Sequence, residues 1–273
     1  ETFAHVEPIF EAMMSSVRSI NERELRQSHD QWIANGQAFV EQFDPKAAVA
    51  EKPIRQWFRM LDAQGKDVGY LRTIRRWAKP LNVEGLGVEV DHRVRVGPAV
   101  VDSLREAFVA VGDDEEYWSR LTTVLRETGV RSTIKRQPVI QVTRDRPGKV
   151  DEQGNAVRDF KVRNEKLQWQ VPELAYLPQA MALVLPDLLP RDEAKTYGFW
   201  AYDSDSGRVT FRHVQVQVAA DGSTTVIDRV TPDAFPHISR YSPTGQLQRR
   251  ELNDGRVLLP ATPEQLKQRW KVD

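Results

Sequence analysis

The chain has no cysteine, no long apolar run and no net charge, and each lack removes a class of function. Without a thiol among its 273 residues there can be no disulfide framework, thiol nucleophile or cysteine-held metal, although such a chain suits either redox compartment. No stretch approaches the roughly 18 apolar residues of a spanning helix, so no transmembrane segment is expected. Basic and acidic residues number 39 each, with a pI near 7.3. Affinity for phosphate polymers rests on net positive charge or a concentrated basic patch, so no nucleic acid is expected as a partner.

Catalytic signatures are also missing. There is no glycine-flanked serine elbow and no serine–lysine motif, and Gly85-Leu86-Gly87 has neither a helix start nor a lysine behind it to cradle phosphate. The histidines at 5, 29, 92, 213 and 237 include no pair three or four apart, so no local zinc motif exists. His92 and His213 fall in strand-like segments and read as core histidines. Asp203-Ser204-Asp205-Ser206-Gly207 opens like a calcium loop, but its sixth position is Arg208 and its twelfth Val214, where glycine and glutamate are required. It reads as a hairpin tip. Asp113-Asp114-Glu115-Glu116 sits in a charged turn, the opposite of the protected cleft a proton-transferring carboxyl needs. Neither metal nor cofactor is expected, and an enzyme would require His92, His213 and a carboxylate to converge from a distance.

What is present is mainly strand. "GVEVDHRVRV" alternates Val88, Val90, His92, Val94 and Val96 with Glu89, Asp91, Arg93 and Arg95, the pattern of an antiparallel strand with one wet face. "PIRQWFRML" and "VGYLRTIRRWA" flank a turn at Gly65 and read as a hairpin. Residues 98–111 fit helix or strand, with strand favoured after Leu104. Pro138 inside "RSTIKRQPVIQVTRD" predicts an edge strand or a bulge, and residues 145–158 read as a long exposed loop. From 197 to 259 strands alternate with turns at Ser206-Gly207, Asp221-Gly222, Pro243-Thr244-Gly245 and Asp254-Gly255. In the cluster Tyr70, Arg72, Arg75, Arg76 and Trp77 the arginines read as partners of "EVDHRVR" across a wet sheet face. "WFRMLDAQGKDVGYLRTIR" echoes "FWAYDSDSGRVTFRHVQV", matching Val68, Tyr70 and Arg72 to Val209, Phe211 and His213.

Helix signals sit at the two ends and in one insert. Phe10, Met13, Met14, Val17 and Ile20 share a helical face, and a second helical piece carries Trp32, Ile33, Phe39, Val40 and Phe43, with a break expected at Asn35-Gly36. This segment packs on the main body, or docks a protein partner or a second copy through residues 1–43. Thr262, Pro263 and Gln265 begin a C-terminal helix with a capping box, which should fold Leu266 and Trp270 onto the sheet. "VPELAYLPQAMALVLPDLLP" is the most apolar stretch, interrupted by Pro172, Pro178, Pro186 and Pro190. Proline suits only the first turn of a helix, so short successive helical turns are expected.

The fold class expected is mainly β with helices: a strongly curved antiparallel sheet or half-barrel over 49–273 with a helical insert at 171–193, preceded by a helical segment over 1–48. The apolar insert before "YGFWAYDSDSG" and the closing "YSPTGQLQRREL" and "NDGRVLLPATPEQLKQRW" resemble uncharacterised exported bacterial proteins. More loosely, their order is similar to the outer-membrane lipoprotein carriers, whose unclosed β-barrel is plugged by helices on its concave side. The resemblance covers residues 52–270 and rests on element order. It implies export to the periplasm or beyond, no catalytic residues, and a plug over Val171 to Pro190. A curved sheet leaves an apolar hollow that a helix or a ligand must fill. The expected function is therefore non-catalytic: binding an apolar ligand or lipid, or an envelope partner. Leu174, Tyr176, Leu177, Met181, Val184, Leu185 and Leu188 are the candidate lining.

Overall fold

The computed structural model describes residues 22–49, 51–111, 115–125, 131–144, 156–162, 165–171, 174–203 and 206–270, with the backbone path alone over 131–171. The first half supplies β1 (Ile54–Leu61), β2 (Asp67–Ala78), β3 (Gly85–Val96), β4 (Ala99–Ala110), β5 (Glu115–Leu125), β6 (Arg131–Arg144), β7 (Ala156–Val162) and β8 (Glu165–Val171). After β9 (Tyr176–Leu177) come β10 (Lys195–Asp203), β11 (Arg208–Val218), β12 (Thr224–Arg229), β13 (His237–Tyr241), β14 (Leu247–Glu251) and β15 (Val257–Ala261). All belong to one sheet, which runs from β8 back to β1, crosses to β15 and returns to β9. The strands β8 and β9 end the order without pairing to each other, so the curved sheet is an unclosed barrel.

Local chemistry accounts for the hairpins. Asp62 Oδ1 accepts from the Gln64 and Lys66 amides at 3.0 and 2.8 Å, and Gly65 takes φ +78 at the tip. Gly207 takes φ +71 at the echoing tip, a conformation that favours glycine. Strand β4 begins at Ala99, six residues before the expected start after Leu104, because its register with β3 is unbroken from Val96↔Ala99 to Gly85↔Ala110. Strand β6 lies between β5 and β7, not at an edge. Its proline is accommodated instead by a register shift, Trp118 facing Ile140 and Arg120 facing Gln137, the bulge that proline permits. The helical face of Phe10 to Ile20 and most of the loop at 145–158 lie outside the described residues.

Inward side chains of the sheet, among them Leu86, Val88, Val109, Trp118, Phe199 and Val214, form one core with the insert. The outer face of β2 and β3 is wet and paired, with Arg72 2.6 Å from Glu89 and 3.4 Å from Asp91, and Arg93 2.6 Å from Asp102. The C-terminal helix Pro263–Trp270 opens with the expected capping box: the Thr262 amide donates to Gln265 Oε1 at 2.9 Å, and the Gln265 amide to Thr262 Oγ1 at 3.4 Å. It buries Leu266 and Trp270 against Tyr70.

The N-terminal helix α1 (Glu22–Gln42) continues through Asn35-Gly36 without a break. Here glycine serves close approach: a Cβ at Gly36 would lie 2.0 Å from the Gly198 carbonyl oxygen. Strand β9 pairs with β10 only at Trp200 and Ala201, so α1 covers the remaining edge, a common protection for unpaired strands. Asn35 Nδ2 donates to the Thr196 carbonyl at 2.8 Å. The helix straddles the strand, with the rings of His29 and Trp32 tilted against those of Phe211 and His213, and Phe39 edge-on to Tyr197 and Phe199. Tyr70 and Phe211, matched in the sequence echo, thus each lie beneath a helix from one end of the chain.

Candidate functional site

The insert folds as the proline spacing requires. After β9 come two single-turn helices, α2 (Gln179–Ala182) and α3 (Leu185–Leu188), with Pro178 at the cap of the first and Pro186 in the first turn of the second. Tyr176, Leu177, Met181, Val184 and Leu185 are each at most 3% exposed, so five of the seven candidate lining residues are core. Leu174 is 53% exposed, and Leu188 is half-buried beside a groove. At about 2 kcal/mol per buried side chain, opening the five to a ligand would cost on the order of 10 kcal/mol, comparable to the whole stability of a domain. The plug is therefore a fixed part of the wall.

Buried polar contacts pin it. Glu116, 3% exposed, accepts from the Tyr176 hydroxyl and from the Gln179 amide at 2.8 Å, and Gln179 Nε2 donates to the Tyr202 carbonyl. The acidic run was expected to be an exposed turn. Glu116 instead belongs to β5 and alternates inward with Trp118, leaving 112–114 outside the described residues. Arg212 holds Asp228 through two guanidinium nitrogens at 2.8 and 2.5 Å and donates to the Ala182 carbonyl at 2.8 Å.

The plug separates two cavities, both within the range of small-molecule sites. The first, about 510 Å³, runs beneath α1, with walls that include Phe39, Phe43, Ile54, Leu188 and Tyr197. Arg75 and Asp187 lie in its lining. Asp187 Oδ1 accepts from the Tyr241 hydroxyl at 2.8 Å and from Arg250 at 3.3 Å, while its Oδ2 is buried without a hydrogen-bond partner among the described residues. Burial and then Asp187 push the Tyr241 phenol up, so it stays a donor. Arg75 makes no side-chain hydrogen bond or ion pair among the described residues. Burial lowers its pKa, opposed by the charge of Asp187, and a guanidinium remains cationic throughout.

The second cavity, about 590 Å³, is the open mouth of the half-barrel. Its lining includes His92, Arg105 and Arg120 from β3, β4 and β5, and Arg212, Arg250 and Arg256 from the later strands and the turn before β15. Burial first, then Arg105, Arg256 and Arg120, holds His92 down at about 4. His213 lies on the other face of the sheet, its ring 4.5 Å from that of Trp32, so the two strand histidines do not share a cleft. Burial, then Arg229, lowers its pKa.

The arginines of both cavities escaped the reading of the sequence. The sequence pattern of "YLRTIRRW" suits one wet face, yet alternation along β2 sends Arg72 outward and Arg75 inward with Leu71 and Thr73. The period of two was the available signal. Which face curves inward was not locally encoded.

No family model matches the chain, and no curated protein matches it. Among solved structures, a beta-barrel-like protein of domain of unknown function DUF1849 from Brucella abortus is similar at 12% identity with a TM-score of 0.50, over 77% of this chain and 96% of that one. That likeness shows the fold: an unclosed, β-barrel-like sheet. Aeromonas veronii immune modulator A aligns over 75% of this chain and 76% of its own at 16% identity, with a TM-score of 0.20, too low to bear on the fold.

Proposed function

We propose that the protein is an exported, non-catalytic binding protein whose groove beneath α1 takes an amphiphile with an apolar body and an anionic head. The observation that carries this reading is Arg75: a cation without a hydrogen-bond partner among the described residues, set in an apolar groove of about 510 Å³. Arg75 is half-buried, and its guanidinium presents a fork that matches a carboxylate. Arg75 and Arg250 together outweigh Asp187 in the neighbourhood, which favours an anion over a neutral head. Each methylene laid along Phe39, Phe43 and Leu188 adds about 0.8 kcal/mol. The partner reading of the N-terminal segment is weaker for residues 22–42, because the apolar face of α1 is engaged with β10.

Titration calorimetry with dodecanoate and with dodecanol tests the reading. Dodecanoate should bind the wild type more tightly than dodecanol, and Arg75→Gln should weaken dodecanoate about 10- to 100-fold, the value of one charge-assisted contact, while leaving dodecanol unchanged. Equal affinity of the two ligands, or an unaffected R75Q variant, would exclude the groove as the head-group site.

A further inference from the structure

The layer between the first half of α1 and the outer face of β10 and β11 is built of rings. Trp32 meets the His213 ring at 4.5 Å, His29 meets Phe211 at 4.6 Å, and Trp200 stands edge-on to Phe211. His213 Nε2 and Trp200 Nε1 are both buried there without a hydrogen-bond partner among the described residues. We infer, resting on the reading of the groove as an amphiphile site, that α1 is an acid-released lid: a proton taken up at His213 Nε2 lifts the helix and opens the groove it roofs. A neutral imidazole forgoes one hydrogen bond in this layer, whereas an imidazolium buries a charged N–H with nothing to receive it. The charged groups around it do not compensate. Arg229 on β12 stands directly opposite His213, where like charges repel, and Asp228 beside it is already held by two nitrogens of Arg212. Strand β10 presents Gly198 at the paired position. The helix contributes His29, with Asp30 exposed and 4.0 Å from it, and Arg26 one turn earlier. Burial, then Arg229, accordingly lowers the His213 pKa. Once α1 has lifted, the ring titrates near its ordinary value of about 6.5, so the difference favours docking above that pH and is lost as pH falls below it. The link to the groove is short: Asn35, one turn on from Trp32, holds the Thr196 carbonyl and lines the groove with Phe39 and Phe43.

The test combines amide exchange, corrected for the intrinsic rate, with calorimetry of dodecanesulfonate, whose head stays ionised, at about pH 7.5 and pH 5, either side of the ordinary histidine value. In the wild type, protection of residues 29–36 should fall about 10-fold or more at the lower pH, and dodecanesulfonate should weaken by the same factor, because apparent affinity follows the competent fraction. The midpoint of the fall should coincide with titration of the His213 ring resonances. His213→Gln should abolish both changes, His92→Gln should keep them, and Arg229→Gln should move the midpoint to higher pH. Equal protection at the two pH values, an equal loss in H213Q, or a loss of protection that leaves dodecanesulfonate affinity unchanged would overturn the inference. If dodecanesulfonate binds and protection does not change, the groove reading stands and acid release fails. If it does not bind, the groove reading fails, and protection lost with His213 titration still supports release of the helix. Coincidence of the two midpoints in the wild type keeps the inference refutable if H213Q fails to fold.

Discussion

Replacing Gly36 with alanine distinguishes a helix packed for close approach from one that tolerates a flexible residue. In an exposed helix the substitution stabilises by about 1 kcal/mol, because alanine is the better helix former. Here the new Cβ would lie 2.0 Å from the Gly198 carbonyl oxygen, a backbone atom, and 3.2 Å from the Phe199 ring. Restoring ordinary van der Waals distance requires α1 to retreat by roughly 1 Å or more. That movement carries the Asn35–Thr196 contact, 2.8 Å in the native arrangement, beyond hydrogen-bonding range and leaves an edge carbonyl unsatisfied, at about 1–3 kcal/mol. Overpacking adds about 1–3 kcal/mol. Set against the propensity gain, G36A should destabilise by about 1–5 kcal/mol, read from urea unfolding by tryptophan fluorescence, with faster amide exchange in residues 195–199. A variant as stable as the wild type, or more so, would refute the close-packed account of α1 and of the groove it roofs.

Other perturbations separate core from site. Leu185→Ala, at a side chain with 0% exposure, should cost about 2–5 kcal/mol in chemical denaturation; a loss below 1 kcal/mol would mean that the plug is not packed. Asp228→Ala strands the guanidinium of Arg212, which is 6% exposed, and should cost about 3–5 kcal/mol, whereas the R212M/D228L double variant should cost less. His92 is held at about 4 against an ordinary 6.5, so the unfolded chain binds the extra proton between those values. Its stabilising contribution is complete above pH 6.5 and is lost as pH falls towards 4, by up to about 3 kcal/mol. His92→Gln should flatten that part of the stability profile relative to wild type, and an unchanged slope would exclude His92 as its source.

Features with a local cause were legible. The Gly65 and Gly207 tips, the valine strand, the capping box at Thr262 and the proline-divided insert all follow from short-range sterics and periodicity, and each appears in the fold. Features set by curvature were not. Alternation marks two faces of a strand, but only the closing of β1 onto β15 decides which one is concave. Arg75 consequently reads as a wet-face charge, and Glu116 as part of an exposed acidic run. Gly36 departs from the expected break for a related reason: glycine signals a break or a close approach equally well, and the neighbouring strand decides which. Of the apolar candidates of the insert, Tyr176, Leu177, Met181, Val184 and Leu185 are core side chains, and the groove beside them is built largely from α1, the turn that follows it and the end of the insert.

The central claim, that this groove holds an anionic amphiphile, is tested most directly by native mass spectrometry of the protein purified from its own source. The account predicts a complex heavier than the chain by one acidic amphiphile, released on denaturation and absent from the R75Q variant. A bare chain that also fails to take up added dodecanoate would contradict it.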